Sequence, residues 1–202
     1  MEKTKIETIG LMAVSDYMYA PEMAARMKNY CDEMIYRFDV LTGDYNVIRR
    51  CVNAVPDAGV IVSVEKWNRW NWRQELLDAA VEGYEFDYVL FLDSDEAFEN
   101  YQQAVADIDA FKKSGADFMM FDYEMIVDDY RKPKKYPGCR HCKLYRYRPG
   151  MSYRPYQGYA RPTIICQQSG RIIQPKVYNA QVRIGHYCFY TAEMERKKEL
   201  HK

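Results

Sequence analysis

The chain of 202 residues has only three histidines and no net charge, because its 29 basic residues balance 29 acidic ones. A zero net charge argues against strong non-specific adhesion to nucleic acid or to an anionic membrane, although it leaves a local basic face possible. No apolar run approaches the roughly 20 residues that a membrane-spanning helix needs. The 48% of apolar and 15% of aromatic residues exclude a disordered tail. The composition therefore predicts a globular protein without a membrane span.

A secretory signal is also lacking from the sequence. Residues 1–7 are charged and offer neither an apolar core nor a small-residue cleavage site. We therefore expect a cytoplasmic protein whose six cysteines are thiols. Internal repeats and low-complexity linkers are absent as well, and we treat residues 1–202 as one domain.

Short apolar runs alternate with segments of helical period over the first 122 residues. This alternation is typical of an α/β fold with a mainly parallel sheet flanked by helices. Pro21 lies near the start of the first predicted helix, and Asp44 opens the second. The predicted strands cover 9–14, 34–38, 60–64, 88–93 and 117–121, and two further helices cover 72–82 and 101–113.

The pattern changes after residue 122, because six of the eight prolines lie there. We predict short strands at 142–146, 163–166 and 181–184, and a polar helix at 191–201. The segment 123–202 is thus expected to form a small, Pro-rich, β-containing C-terminal elaboration that ends in a helix.

The strongest functional signal comes at the end of the strand at 88–93. Asp93, Asp95 and Glu96 emerge there, and ligands bind at the carboxyl ends of strands in open α/β sheets. Mg²⁺ and Mn²⁺ prefer carboxylate oxygens and are often held by one or two carboxylates plus substrate phosphates. Away from a strand end, an Asp-x-Asp pair would be read as a solvated turn; here it indicates a metal–diphosphate site.

A second acidic loop, at 39–44, also follows a predicted strand and precedes a helix. Asp39 is its ligand candidate, whereas Thr42 or Asp44 suits the N-cap of the helix. Both acidic loops should lie at the same edge of the sheet.

The order of these motifs resembles the family 2 glycosyltransferases of the GT-A fold. Residues 39–44 match the family's Asp-Asp-Gly-Ser-Thr-Asp loop at the first and last Asp and at Thr42, which replaces Ser. Arg73-Gln74 stands in place of the family's Arg-Asn pair. Leu92-Asp93-Ser94-Asp95-Glu96 matches its metal strand. The resemblance covers residues 6 to about 122.

The resemblance implies a Rossmann-like GT-A sheet and a metal-dependent transfer of sugar from a nucleotide-sugar, a UDP-sugar above all. Residues 1–122 would be the nucleotide-sugar-binding part, and 123–202 the acceptor side. Asp39 would contact base or ribose, Arg73 the phosphates, and Asp93 the ribose and the metal. Asp95 would hold Mn²⁺ or Mg²⁺, and His186, which follows a predicted strand late in the chain, would complete the metal site.

Aromatic residues near the same edge, Tyr17, Trp67, Trp70 and Trp72, are candidates for stacking on base or sugar, with core packing as the alternative.

The catalytic base is less well marked. Inverting members of the family use a carboxylate beyond the metal strand to take a proton from the acceptor hydroxyl. Asp128 and Asp129 form the only adjacent carboxylate pair after Asp95, and Glu124 is the fallback. Inversion and retention of the anomeric centre both stay open.

Other functions stay open too. A nucleotidyltransferase would use the same acidic strand end, but it usually shows a Gly-rich phosphate loop, which residues 14–18 lack. A non-catalytic module that binds saccharide or nucleic acid would have no need for three carboxylates at a strand end. Arg interleaved with Tyr at 145–161 could grip a glycan or single-stranded nucleic acid, so the acceptor could be a glycan or a hydroxylated base in DNA. Cys139 and Cys142 could form half of a zinc site, but thiols packed in a Pro-rich region are the favoured interpretation.

Overall fold

The computed structural model describes residues 3–14, 20–39, 45–63, 69–127, 134–156, 159–163, 167–168, 171–172 and 175–188. The predicted C-terminal helix at 191–201 lies outside the described residues, as does most of the strand predicted at 163–166.

Helices form where residues at three- and four-residue spacing share an apolar face. In the first helix, Met23 and Met27 are buried on one such face. The last begins after Asn100, whose side-chain oxygen accepts from the Gln103 N–H at 3.0 Å, and ends before Gly115, whose φ of +67° suits glycine. In chain order, the helices among the described residues are α1 Ala20–Lys28, α2 Tyr45–Ala54, α3 Arg69–Gly83 and α4 Tyr101–Ser114.

Strands form at the apolar runs. All elements predicted before residue 122 are present with ends shifted by up to three residues, except that the strand predicted at 117–121 continues to Val127. Several strands had no sequence prediction, notably the two-residue strands and the hairpin at 152–163. In chain order, the strands in the described ranges are β1 Thr4–Lys5, β2 Thr8–Val14, β3 Glu33–Asp39, β4 Gly59–Ser63, β5 Tyr84–Glu85, β6 Tyr88–Phe91, β7 Glu96–Phe98, β8 Phe118–Val127, β9 Lys134–Arg146, β10 Ser152–Tyr156, β11 Tyr159–Thr163, β12 Gln167–Gln168, β13 Arg171–Ile172 and β14 Val177–Cys188.

Eight of these strands form one twisted sheet in the order β4-β3-β2-β6-β9-β8-β14-β7. The neighbours β4, β3, β2 and β6 are parallel, and β14 is parallel to β8. Strand β9 is antiparallel to both β6 and β8, and β7 is antiparallel to β14. The expected α/β class with a largely parallel sheet is therefore confirmed, and strands from both sides of residue 122 share the sheet.

Helices cover both faces of this sheet because the strand side chains alternate in direction. In β2, Met12 and Val14 belong to the apolar cluster with α1, α2 and α4, whereas Leu11 and Ala13 belong to the cluster with α3. The hairpin of β10 and β11 adds to the α3 layer, where the Tyr153 N–H donates to Gln74 Oε1 at 2.8 Å. The core is therefore split into two layers, with β6 near the centre of both.

Packing between α1 and β2 is close at Gly10. A methyl group added there would lie 2.6 Å from Cys31 Sγ and 3.1 Å from Met27 Cε. The absence of a side chain therefore lets helix and strand approach. Burial raises the pKa of both the Cys31 and the Cys51 thiols to about 12, so these two cysteines stay protonated, as the expectation of thiols requires.

In the part of the chain that the structure describes, no helix combines the length and the apolar character needed to cross a membrane.

Candidate functional site

A closed acidic turn joins β6 to β7. The Glu96 N–H donates to the Asp93 carbonyl at 3.0 Å, and the Asp93 N–H donates back to Glu96 Oε2 at 2.9 Å. Ser94 and Glu96 are buried, whereas a third of the Asp93 side chain and a fifth of the Asp95 side chain reach the surface. The turn therefore presents Asp93 and Asp95 outward and keeps Glu96 inside.

This turn lies at the carboxyl edge of the parallel strands. Strands β2 and β3 run parallel to β6, so their carboxyl ends, at Val14 and Asp39, meet the same edge. From β2 the chain moves outward through β3 to β4, and β6 then follows on the other side of β2. The strand order therefore reverses between β2 and β6, at a switch point of the kind where open α/β sheets bind ligands. The position of the turn is thus the one that the sequence predicted.

Two cations hold the Asp93 carboxylate. Arg73 on α3 donates from Nη2 to both carboxylate oxygens at 3.2 Å, and its guanidinium lies over the Phe91 ring at 4.4 Å. Lys143 on β9 reaches Asp93 Oδ2 at 3.0 Å and Glu96 Oε2 at 2.6 Å, with only 5% of its side chain exposed. The Lys143 ammonium therefore bridges two carboxylates in the interior.

The charges of this cluster shift its pKa values. Burial alone would raise the pKa of the Asp93 carboxyl, but the Lys143 ammonium and the Arg73 guanidinium outweigh it and hold that pKa well below its usual range. Burial raises the pKa of Glu96, and the nearby Asp93 and Asp95 carboxylates add to the increase against the opposing Lys143. The pKa of Lys143 is raised because its two carboxylate partners overcome the effect of burial. Lys143 and Asp93 are therefore both charged at neutral pH.

His186 enters the site from the far end of the chain. Strand β14 pairs with β7 so that His186 lies opposite Glu96, and this register carries the imidazole to the acidic turn. His186 Nε2 and Asp95 Oδ2 are 2.9 Å apart. The structure thus brings together two of the three residues, Asp93, Asp95 and His186, that were expected to share a metal ion.

Tyr123 on β8 lies between Glu96 and two histidines, His141 on β9 and His186 on β14. Its hydroxyl donates to Glu96 Oε1 at 2.7 Å, and its ring lies 4.5 Å from that of His141 and 5.2 Å from that of His186. Burial, with the Lys143 charge as a second cause, lowers the pKa of His141 to about 4. His141 is accordingly a neutral ring at physiological pH.

The donor set can be tested against a metal ion. Among the described residues there is no cluster of three His, Cys, Asp or Glu side chains that could hold an ion. Asp95 and His186 nevertheless offer one oxygen and one nitrogen within 2.9 Å. Mg²⁺ and related ions are commonly bound by one or two protein ligands, with waters and substrate phosphates completing the shell. Asp95 and His186 therefore fit an ion that arrives with a phosphate-bearing ligand, while Asp93 is engaged by Arg73 and Lys143.

Several predicted site residues lie outside the described residues, namely Tyr17, Asp128 and Asp129, together with Thr42, Asp44 and Trp67. For Asp39 and Trp70 only the backbone is described, and Asp39 ends β3 at the same edge as the acidic turn. Trp72 is 2% exposed beneath the Arg37 guanidinium, 4.1 Å from its ring, so it packs in the core. Glu124, the fallback base, is buried and paired with Arg183 at 3.3 Å.

Sequence reasoning missed Lys143 and Tyr123. Strand β8 pairs Met119 with Leu144 and the next residue, Met120, with Cys142, so Lys143 is left out of the pairing and forms a β-bulge. Bulges are frequent next to active sites because the extra residue re-aims a side chain. The isolated charge between Cys142 and Leu144 was the sole sequence signal, and the pattern of a short strand alone does not distinguish it from a solvated lysine.

No protein-family model and no curated protein matches the sequence. Solved structures similar to the chain include the 4-diphosphocytidyl-2C-methyl-D-erythritol synthase of Anaerococcus prevotii, at 11% identity and a TM-score of 0.42 over 69% of this chain and 71% of that one. HddC of Yersinia pseudotuberculosis matches at 8% identity and a TM-score of 0.43 over 89% of this chain and 92% of that one. Residues 1–349 of S. aureus TarS, in complex with UDP, match at 19% identity and a TM-score of 0.37 over 64% of this chain. The match spans only 38% of that TarS chain.

Proposed function

We propose that the protein is a metal-dependent glycosyltransferase that transfers a sugar from a nucleotide-sugar, a UDP-sugar in the first instance, to a hydroxyl acceptor. The observation that carries the proposal is the acidic turn at the switch point of the sheet, where Asp95 meets His186 and Asp93 meets Arg73. An acidic edge with a guanidinium beside it can hold both a divalent cation and a diphosphate.

Asp95 and His186 are the residues that we assign to Mn²⁺ or Mg²⁺. A cation bound there would act as a Lewis acid toward the diphosphate leaving group. Arg73, about a fifth exposed, is placed to add a second positive charge as the leaving nucleoside diphosphate becomes more negative. Its stacking on Phe91 and the contact of its Nη2 with both oxygens of Asp93 orient the guanidinium before a ligand arrives.

The remaining roles follow the family resemblance. Asp93 is proposed to accept a hydrogen bond from the ribose, Asp39 to contact base or ribose, and Tyr17 to stack on the donor. Asp128 or Asp129 is proposed as the base that takes the acceptor proton. The acceptor is a glycan or a hydroxylated nucleobase in DNA.

The test is a panel of UDP-, GDP-, ADP- and CDP-sugars, each incubated with and without Mn²⁺ and assayed for nucleoside diphosphate release. One arm supplies glycan acceptors, and another supplies duplex DNA with hydroxymethylated pyrimidines. We expect Mn²⁺-dependent release from one donor and labelled sugar in one acceptor class. Asp109→Asn neutralises an exposed carboxylate on α4. This variant serves as a control and should release nucleoside diphosphate like the parent.

Two further assays, one with nucleoside triphosphates and sugar phosphates and one for ligand binding, separate the alternatives. Release of pyrophosphate from a nucleoside triphosphate and a sugar phosphate would identify a nucleotidyltransferase instead. Binding of a saccharide or nucleic acid with no release of nucleotide from any donor would identify a non-catalytic module.

A further inference from the structure

Lys143 is a charged side chain that the fold turns inward with a dedicated irregularity. Where Met119 pairs with Leu144 and Met120 with Cys142, the pairing of β9 with β8 omits Lys143, and the pairing of β9 with β6 stops at Leu144, opposite Leu90. The bulge therefore places Lys143 beyond the last paired residues of β6, where the chain turns at Asp93.

The Lys143 ammonium competes for the oxygens that a metal ion would use. It contacts Asp93 Oδ2 and Glu96 Oε2. Glu96 Oε2 also accepts from the Asp93 N–H, and Glu96 Oε1 accepts from the Tyr123 hydroxyl. Arg73 contacts both oxygens of Asp93. Three carboxylates thus face two permanent cations, and Asp95 is the member of the turn that neither cation contacts among the described ion pairs.

We propose that Lys143 is a positioning residue that reserves Asp93 for the protein's own cations, so that a divalent cation enters the site together with a nucleoside diphosphate, through Asp95 and His186. This inference rests on the proposed function. A divalent cation without a nucleotide meets a turn where Lys143 and Arg73 offset two of the three negative charges, and these two positive groups repel it. A diphosphate carries the extra negative charge that offsets the repulsion and supplies the missing ligands.

The test is a Mn²⁺ titration of the nucleotide-free protein, followed by the electron paramagnetic resonance signal of unbound Mn²⁺. The wild type should bind weakly, and addition of UDP should strengthen the binding. Lys143→Met, nearly equal in length but neutral, should bind Mn²⁺ without UDP about tenfold more tightly, because it removes a positive charge close to Asp93 and releases Asp93 Oδ2 from the ammonium.

Two further variants make the test specific. Lys143→Arg keeps the charge and should bind Mn²⁺ as weakly as the wild type. Lys143→Met removes the ammonium that bridges Asp93 and the buried Glu96 carboxylate, and this loss lowers stability. The double variant Glu96→Gln, Lys143→Met removes the buried charge of Glu96 and leaves Asp93 with Arg73 alone, so it should fold and show the same tightening.

The inference is overturned if the nucleotide-free wild type binds Mn²⁺ as tightly as the methionine variants, or if Lys143→Arg binds as tightly as they do. A failure of the proposed function looks different. In that case UDP leaves Mn²⁺ binding unchanged in every variant, whereas the gain caused by Lys143→Met in the absence of nucleotide still reports on Lys143 alone.

Discussion

Asp95 is the residue on which the proposed metal site depends most. About four-fifths of its side chain is buried at the acidic turn, where it pairs with His186. Asp93, two residues earlier, is committed to Arg73 and Lys143. The two aspartates of one motif therefore have different tasks, which their different partners define.

At the residue scale we predict that Asp95→Asn removes Mn²⁺-dependent UDP binding and leaves the fold intact. The amide keeps the size of the side chain but loses the negative charge that a hard cation requires. Calorimetric titration of UDP with and without Mn²⁺ should show the metal-dependent part lost, with an unchanged circular dichroism spectrum. Full retention of Mn²⁺-dependent affinity would remove Asp95 from the metal site.

Individual elements are held in place by a few buried side chains. Asp107 on α4 is 3% exposed and accepts from the Gln181 and Val182 N–H groups at 2.7 Å each. These N–H groups lie where β14 breaks its register with β8, between Asn179 and Arg183. The Asp107 carboxylate therefore accepts from the two backbone N–H groups at the break in register. Beyond this break, the pairing of β14 with β7 places His186 opposite Glu96.

We predict that Asp107→Ala lowers the free energy of unfolding by about 2–3 kcal/mol, since two backbone donors lose a charged acceptor. Urea unfolding measures this cost. Asp109→Ala, on the exposed face of the same helix, should change stability by less than about 0.5 kcal/mol. Equal effects of the two substitutions would show that helix propensity, not the buried hydrogen bonds, decides the outcome.

Packing between α1 and β2 supports a second prediction at this scale. Gly10→Ala should destabilise the protein by about 1–3 kcal/mol, because the new methyl group would meet Cys31 Sγ. The cost should shrink when Gly10→Ala is introduced into a Cys31→Ala background, which removes that sulfur. Thermal unfolding of the four variants of this double-mutant cycle gives the coupling; additive effects would contradict the proposed contact.

For the whole molecule, stability should depend on pH through His141. Its pKa is about 4 in the folded protein, against an ordinary value of 6.5, so the unfolded chain binds the extra proton first. Stability contributed by the neutral ring is complete above pH 6.5 and is lost as the pH falls toward 4. Glu96, with its raised pKa, acts in the opposite direction over part of this window.

The contribution of His141 is therefore measured by comparing the pH dependence of stability in the wild type and in His141→Gln. Urea unfolding from pH 7.5 to 4 should show a smaller loss of stability on acidification for His141→Gln than for the wild type, since glutamine does not titrate. Parallel pH profiles for the two proteins would mean that His141 stays exposed enough to protonate normally.

The sequence by itself determined the alternation of strands and helices up to residue 122 and the place of Asp93 and Asp95 at a strand end. These features depend on local spacing, since side-chain period and strand ends are properties of neighbouring residues. A lone histidine late in the chain could be proposed for the site on family resemblance, but its approach to Asp95 depends on the pairing of β14 with β7.

Only the tertiary structure decided which charges meet. Lys143, Arg73 and Asp93 are 20 to 70 positions apart in sequence, and a bulge that depends on the pairing of β8 with β9 turns Lys143 inward. Likewise, the hydroxyl of Tyr123 reaches Glu96 because β8 and β14 are neighbours beside β7. Long-range strand register sets these contacts, and no local pattern encodes it, because a one-residue shift in pairing redirects every side chain that follows.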